Sequence, residues 1–404
     1  MYDGKVNHGA RLRILALLFV LQASASLVTL SFGPLALFLQ EDLNITRAQV
    51  GLFTSMVFAG SLFFGIICGW LIDRFNVRRF LLLGPLILGV FFIALTRTSS
   101  LGIALALTLI GGVGYVFVNP CAAKALTTWF SPGTRATSIG IMKSGVALGG
   151  ALGAAGLPGL SLLLGWRNAL VIVAAAAIMV AVIVVTLYHE ASIETSVESS
   201  AFGLKGLRRV FSNSNVLLIG GMGLAYSAMQ LSLSSYLVLF LQEAIHLPVV
   251  IAGTYLTVAL VRGAVARVLW GVISDRVFGG QRKLALVIAG LINVTMAILL
   301  AFLAAMMPPW LLYVVIAIFG FAAFGWVGLY ITFLAELGGK EGAATVVGFG
   351  MTCGSVDILL GPPSFGHIVD ITNSYTVVWM TFGIITAVGC ALILLVRESR
   401  KDAA

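Results

Sequence analysis

The sequence predicts an all-α membrane protein, with twelve transmembrane helices in two pseudo-symmetric six-helix bundles. Three observations carry this expectation. Of the 404 residues, 60% are hydrophobic and only 10% are charged, against roughly 25% charged in soluble domains. Apolar runs of about 20 residues recur along the chain, each long enough to cross a hydrocarbon layer about 30 Å thick. Landmarks also repeat at one offset: Asp73, in the stretch Gly69 to Arg79, and Asp275, in the stretch Gly271 to Lys283, are 202 residues apart. The same offset links Phe38-Leu39-Gln40-Glu41 to Phe240-Leu241-Gln242-Glu243 and Gly51 to Gly253. A shared offset marks two parallel repeats.

Twelve spans fit the apolar runs, at about 12–39, 50–71, 80–96, 101–123, 136–164, 167–188, 214–241, 250–274, 284–306, 310–334, 344–368 and 375–396. They group into an N-terminal six-helix bundle (1–188), a cytoplasmic connector (189–213) and a C-terminal six-helix bundle (214–404). The connector is the one polar stretch of length, with Glu190, Glu194 and Glu198 before Lys205, Arg208 and Arg209. The first apolar run is too long for a signal peptide and lacks a cleavage pattern. The net charge of +9 is mainly topological: 18 Lys or Arg lie at the termini and in alternate loops, and three (Arg47, Arg97, Arg167) in the other loops. By the positive-inside rule both termini are cytoplasmic, in a bacterial inner membrane, and the basicity needs no nucleic-acid partner. The four cysteines (Cys68, Cys121, Cys353, Cys390) lie in apolar runs without metal-like spacing, so neither a disulfide nor a metal site is expected.

Span 1 carries Gln22, Ser24, Ser26, Thr29 and Ser31, and span 7 carries Tyr226, Ser227, Gln230, Ser232, Ser234 and Ser235. Polar groups in a bilayer face a cavity or bond to another helix, so these equivalent spans are candidate cavity liners. Span 5 is rich in glycine (Gly140, Gly145, Gly149, Gly150, Gly153, Gly156, Gly159), which permits close helix approach, moving or static. In span 11 the pair Pro362-Pro363 is expected to break or kink the helix.

Four charged residues sit deep in predicted spans: Lys143, Arg262, Arg267 and Asp357. Each carries an insertion cost of about 2.5–3.5 kcal/mol near mid-helix, which a cavity or partner offsets. Three are cationic, pointing to an anionic substrate. Arg267, eight residues before Asp275, stands about 12 Å along the helix from it, near the midplane where transporter sites form. Its planar fork matches a carboxylate. Arg262 lies about 140° around the same helix, so the two cannot share one narrow cavity; a lateral ion pair or snorkelling would suit it. Lys143 is a second substrate cation or a partner of Asp357. Asp357 is the candidate proton-coupling group, or else a fixed ion-pair member. Tyr115 and Asn119, one turn apart on span 4, and Tyr330 on span 10 are candidate donors to the substrate, with helix packing the competing role for each tyrosine.

The chain resembles the major facilitator superfamily (MFS) over essentially its whole length, and the resemblance implies the MFS fold. The pattern Gly69, Asp73, Arg74, Arg78, Arg79 matches the family loop between spans 2 and 3, with a weaker copy at Gly271, Asp275, Arg276, Arg282 and Lys283. The resemblance implies that these residues gate the cytoplasmic side and favour an outward-open state. Finer features resemble the monocarboxylate and oxalate/formate branch, where an arginine before the Gly-x-x-x-Asp motif binds the substrate carboxylate; Arg267 followed by Gly271 and Asp275 fits, as do Trp129, Phe130 and Arg135. Gly263 stands where animal-type carriers have an acid, span 11 lacks the lysine of the oxalate branch, and Gly140 to Gly145 is similar to cyanate-type permeases.

The resulting expectation is a secondary active transporter of a small organic anion. The leading form is proton symport of a monocarboxylate such as lactate or pyruvate, by alternating access of two bundles. An anion exchanger of the oxalate/formate or cyanate type needs no titrating residue and stays open. A drug/proton antiporter would want a buried acid in the N-terminal half, and an enzyme a convergent nucleophile, metal or acid pair. Neither is found. The partners implied are the anion, a proton and membrane lipid, with no cofactor, around a monomer.

Overall fold

A computed structural model describes residues 8–130, 132–188 and 213–396. The predicted connector lies outside these residues except for Asn213. The described residues form helices with no strand among them, and twelve of the helices are long and apolar enough to cross a membrane. They are Gly9–Leu43, Arg47–Gly65, Val77–Leu95, Leu101–Leu126, Thr137–Leu164, Trp166–Leu187, Ser214–Glu243, Val249–Arg276, Arg282–Met306, Pro309–Gly338, Val346–Thr372 and Tyr375–Leu395. The protein is an all-helical integral membrane protein, and these helices are numbered spans 1 to 12. The chain divides into two compact units. One comprises Met1–Ile45 and Leu52–Glu198, the other Thr46–Gly51 and Ser199–Ala404.

In the first unit, span 1 is interrupted once. Helix His8–Thr29 gives way to Phe32–Leu43, with Pro34 in the first turn of the second piece, where a missing amide proton costs nothing. Span 5 packs against span 1 through glycine. A methyl group at Gly145 would stand 2.8 Å from the Phe19 carbonyl oxygen, and one at Gly149 would overlap that of Ala23. Gly156 faces open space. Gly149→Ala is therefore expected to lower the melting temperature, since overpacking costs about 1–3 kcal/mol. Gly156→Ala should hold or raise it, because alanine is the better helix former by up to about 1 kcal/mol. Thermal unfolding of both variants in detergent checks this, and equal melting temperatures would show that Gly149 is not a close-packing position.

The second unit is built around Val216, Ile219, Met222 and Tyr226 of span 7, packed with Trp270, Trp326 and Tyr330. The Tyr226 hydroxyl donates to the Leu286 carbonyl at 3.0 Å, so the buried phenol is satisfied. Spans 8 and 10 meet at small residues, with Gly263 against Phe324 and Gly320 against the Ala259 backbone. Helical backbone runs from Val327 to Thr372, including the predicted turn between spans 10 and 11. It must double back, because Tyr330 Oη donates to the Gly350 carbonyl at 2.9 Å, whereas twenty residues of straight helix would separate them by about 30 Å. Pro362 and Pro363, where a break or kink is expected, both lie inside this helical stretch, so the helix is not broken there. Membrane helices tolerate proline where neighbours and local adjustment re-satisfy the freed carbonyls.

The segment Thr46–Gly51, the start of span 2, belongs to this second unit. Asp370 accepts from the backbone amides of Arg47 (3.1 Å) and Ala48 (2.9 Å) and so caps the first helical turn. Glu243 Oε2 accepts from Arg47 Nε at 2.9 Å and from the Tyr375 hydroxyl at 2.7 Å. Tyr236 donates to the Arg47 carbonyl at 2.7 Å.

Candidate functional site

In the first unit, Tyr115 and Asn119 share a face of span 4 as their spacing predicts. Tyr115 is buried at 6% exposure, its ring edge-on to Phe58. Its hydroxyl joins a three-membered network with span 1: Gln22 Nε2 donates to it at 3.3 Å and to Ser26 Oγ at 3.2 Å, and the two hydroxyls lie 3.2 Å apart. One turn along, Asn119 Oδ1 accepts from Lys143 Nζ at 2.7 Å. The Lys143 side chain is exposed. This contact is with an amide oxygen, which orients the ammonium without neutralising it. Gln22 Oε1 is buried and has no hydrogen-bond partner among the described residues, an acceptor that a ligand donor can satisfy.

In the second unit, Arg267 is half-buried and donates through Nε to the Phe324 carbonyl at 3.2 Å. Helix Pro309–Gly325 ends one residue later, and the last carbonyls of a helix lack intrahelical donors. The arginine therefore satisfies an orphan acceptor and is fixed by it. Trp326, at the same interruption, donates through Nε1 to Gln230 Oε1 at 3.0 Å. Three residues before Gln230, Ser227 of span 7 hydrogen-bonds to Asp357. Asp357 is 4% exposed, and its Oδ2 has no hydrogen-bond partner among the described residues. Gly361 leaves it room, since a methyl there would sit 2.9 Å from Oδ1. Tyr330 is placed differently from a substrate donor: it is buried, packs on Trp326, and its hydroxyl is committed to the Gly350 backbone. The competing packing role describes its contacts.

Of the predicted gating residues, Gly69 and Asp73 have side-chain positions outside the described set. Arg74 lies over the Trp70 ring at 5.4 Å, and Arg78 donates to the Val185 carbonyl at 3.0 Å. In the second copy, Asp275 pairs with Arg282, which also donates to Ser274 Oγ at 3.0 Å and approaches Glu336 at 3.6 Å. Arg276 is exposed and Gly271 half-buried. Sequence reasoning did not single out the Gln22–Ser26–Tyr115 network or the Trp326–Gln230 pair. The available signal was polar spacing, four residues in span 1 and three in span 7 (Ser227, Gln230), each defining one helix face.

Comparison with known proteins supplies the family. The model of the Major Facilitator Superfamily matches residues 18–362. The chain belongs to the Major Facilitator Superfamily. Among curated relatives, it is 26% identical over 99% of its length to the "Probable L-galactonate transporter" of Escherichia coli, covering 93% of that protein. It is 23% identical over 89% of its length to the "Probable sulfoacetate transporter SauU" of Cupriavidus necator, covering 87% of that protein. Among solved structures, the fold matches a bacterial homolog of the human lysosomal transporter Spinster. That match has a TM-score of 0.79 at 19% identity and covers 96% of this chain and 97% of the other. The superfamily member described here is a transporter-type membrane protein and not an enzyme.

Proposed function

We propose that this protein is a secondary transporter of a small organic anion, a monocarboxylate with Arg267 as its anchor and Lys143 as a second cation. The carrying observation is that two cations deep in spans, Arg267 and Lys143, are oriented by the Phe324 carbonyl and the Asn119 amide oxygen. A guanidinium fork and an ammonium are the groups that complement a carboxylate. Relatives named for galactonate and for sulfoacetate transport support an acid substrate. Lactate and pyruvate are the small members of this class. Gln22, Ser26, Tyr115 and Asn119 lie close to one another along spans 1 and 4, and such a set favours a hydroxylated monocarboxylate. Tyr330 serves this site by holding Trp326 and the span 10–span 11 hairpin in place.

Asp357 is the proposed proton carrier, since a buried carboxyl with one oxygen left unbonded by the described residues can alternate between protonation states as its surroundings change. The residues at Gly69, Asp73, Arg74, Arg78, Gly271, Asp275 and Arg276 are proposed to control access. A bacterial inner membrane, cytoplasmic termini and two repeats at 1–188 and 214–404 complete the proposal, supported by the basic loops and the 202-residue offset between Asp73 and Asp275.

Proteoliposomes loaded with a pH-sensitive dye and challenged with a panel of carboxylates test the reading, with permeation of neutral acids subtracted using protein-free vesicles. Protein-dependent acidification with hydroxylated acids is the expected result. Counterflow of labelled anion without acidification would replace symport by exchange. Silence in both assays would overturn the carboxylate assignment.

A further inference from the structure

Arg262 is the second arginine of span 8, thirteen residues from Val249 and fourteen from Arg276, so it lies about 20 Å along the helix from either end. Span 10 packs into the arc between the two arginines, where Gly263 meets Phe324, Ala259 meets Gly320 and Ala266 meets Gly325. Arg267 emerges on one side of this contact and reaches the Phe324 carbonyl. Arg262 emerges on the other, in a groove of about 290 Å³ walled by Val314, Ala317, Ile318 and Phe321. Its side chain is exposed and makes no hydrogen bond or ion pair with the described residues. The neighbouring exposed face of span 8 is hydrocarbon, presented by Val261, Val265, Val268 and Leu269.

A bare guanidinium at this depth is costly and calls for an anion. We propose that the groove binds an amphipathic carboxylate from the bilayer, such as a fatty-acid anion. Its head pairs with Arg262 and its chain lies along the wall of span 10. The guanidinium fork accepts a carboxylate through two parallel hydrogen bonds. The wall residues run from Val314 to Phe321, seven residue steps and about 10 Å of apolar track for a hydrocarbon chain. A phospholipid phosphate sits at the membrane surface, about 15 Å from the midplane, beyond this arginine. A second copy of the chain offers no counter-charge: at mid-span the described residues contain one carboxyl group, Asp357, and it is 4% exposed.

The test uses the full-length protein in proteoliposomes containing a photoactivatable sixteen-carbon fatty acid. Labelling of the peptide containing Val314 to Phe321 is expected, falling at least tenfold in Arg262→Gln and recovering in Arg262→Lys. The methyl ester of the probe should label no more than background. Ala317→Trp, which fills the groove without touching the charge, should also abolish labelling, so the result does not depend on Arg262→Gln folding. Arg267→Gln should leave labelling intact, which separates failure here from failure of the transport reading. Undiminished labelling in Arg262→Gln, equal labelling by the ester, or displacement by acetate at matched concentration would overturn the proposal. So would an unlabelled wild type whose dimer is lost on Arg262→Gln.

Discussion

Arg267→Ala is expected to reduce anion binding and uptake by about 30-fold or more while leaving the protein folded and monodisperse. Truncating one member of a hydrogen-bonded charge pair costs about 2–5 kcal/mol in comparable interfaces, and every 1.4 kcal/mol is about tenfold in affinity. Part of the change falls on the protein itself, because the Phe324 carbonyl loses its donor from Arg267. That loss is worth about 1 kcal/mol of stability, too little to unfold the chain. Arg267→Lys separates charge from geometry: a lysine keeps the point charge and loses the planar fork, so an intermediate affinity is expected. Calorimetric binding and counterflow of labelled substrate read both variants. An affinity within a factor of two of wild type for Arg267→Ala would remove this residue from the site.

Asp357→Asn should abolish the pH dependence of net uptake and preserve counterflow. Asparagine keeps the volume and can still hydrogen-bond with Ser227, which contacts the carboxylate, but it cannot exchange a proton. The same substitution should leave thermal stability unchanged or raised, because it removes a desolvated acid from a 4% exposed position. Loss of both coupling and folding would point to a structural carboxylate. An unchanged pH profile would assign coupling to the substrate's own proton. The two variants are read independently: Arg267→Ala is expected to change whether the anion binds, and Asp357→Asn what travels with it.

Much of this architecture was legible from composition, because a bilayer forces each span to announce itself as a long apolar run. Lys143, Arg267 and Asp357 stood out for the same reason: a charge in such a run is costly and rarely accidental. The Tyr115–Asn119 face followed from helical spacing. What the sequence hid were partners supplied by distant spans or by backbone. Nothing in a residue string marks the Phe324 carbonyl as the acceptor for Arg267, because that follows from a helix ending at Gly325. The partner of Tyr330 was hidden for a related reason, since its acceptor, the Gly350 carbonyl, is brought near by a hairpin in continuous helical backbone. Of the two outcomes the proline pair allows, a break does not occur, since membrane packing lets helical backbone run through both prolines.

The cap on Arg47 and Ala48 also constrains how the protein is made. Its carboxylate belongs to a residue 322 positions downstream. At about 5–20 residues per second, tens of seconds separate the synthesis of the first turn of span 2 from that of Asp370. Throughout that interval span 2 can be inserted but not finished, with Arg47 lacking Glu243 until span 7 emerges and its amides uncapped until span 11 does. Biogenesis therefore ends with a late docking step, and a chain that stalls before span 11 would leave this helix start exposed to quality-control proteases.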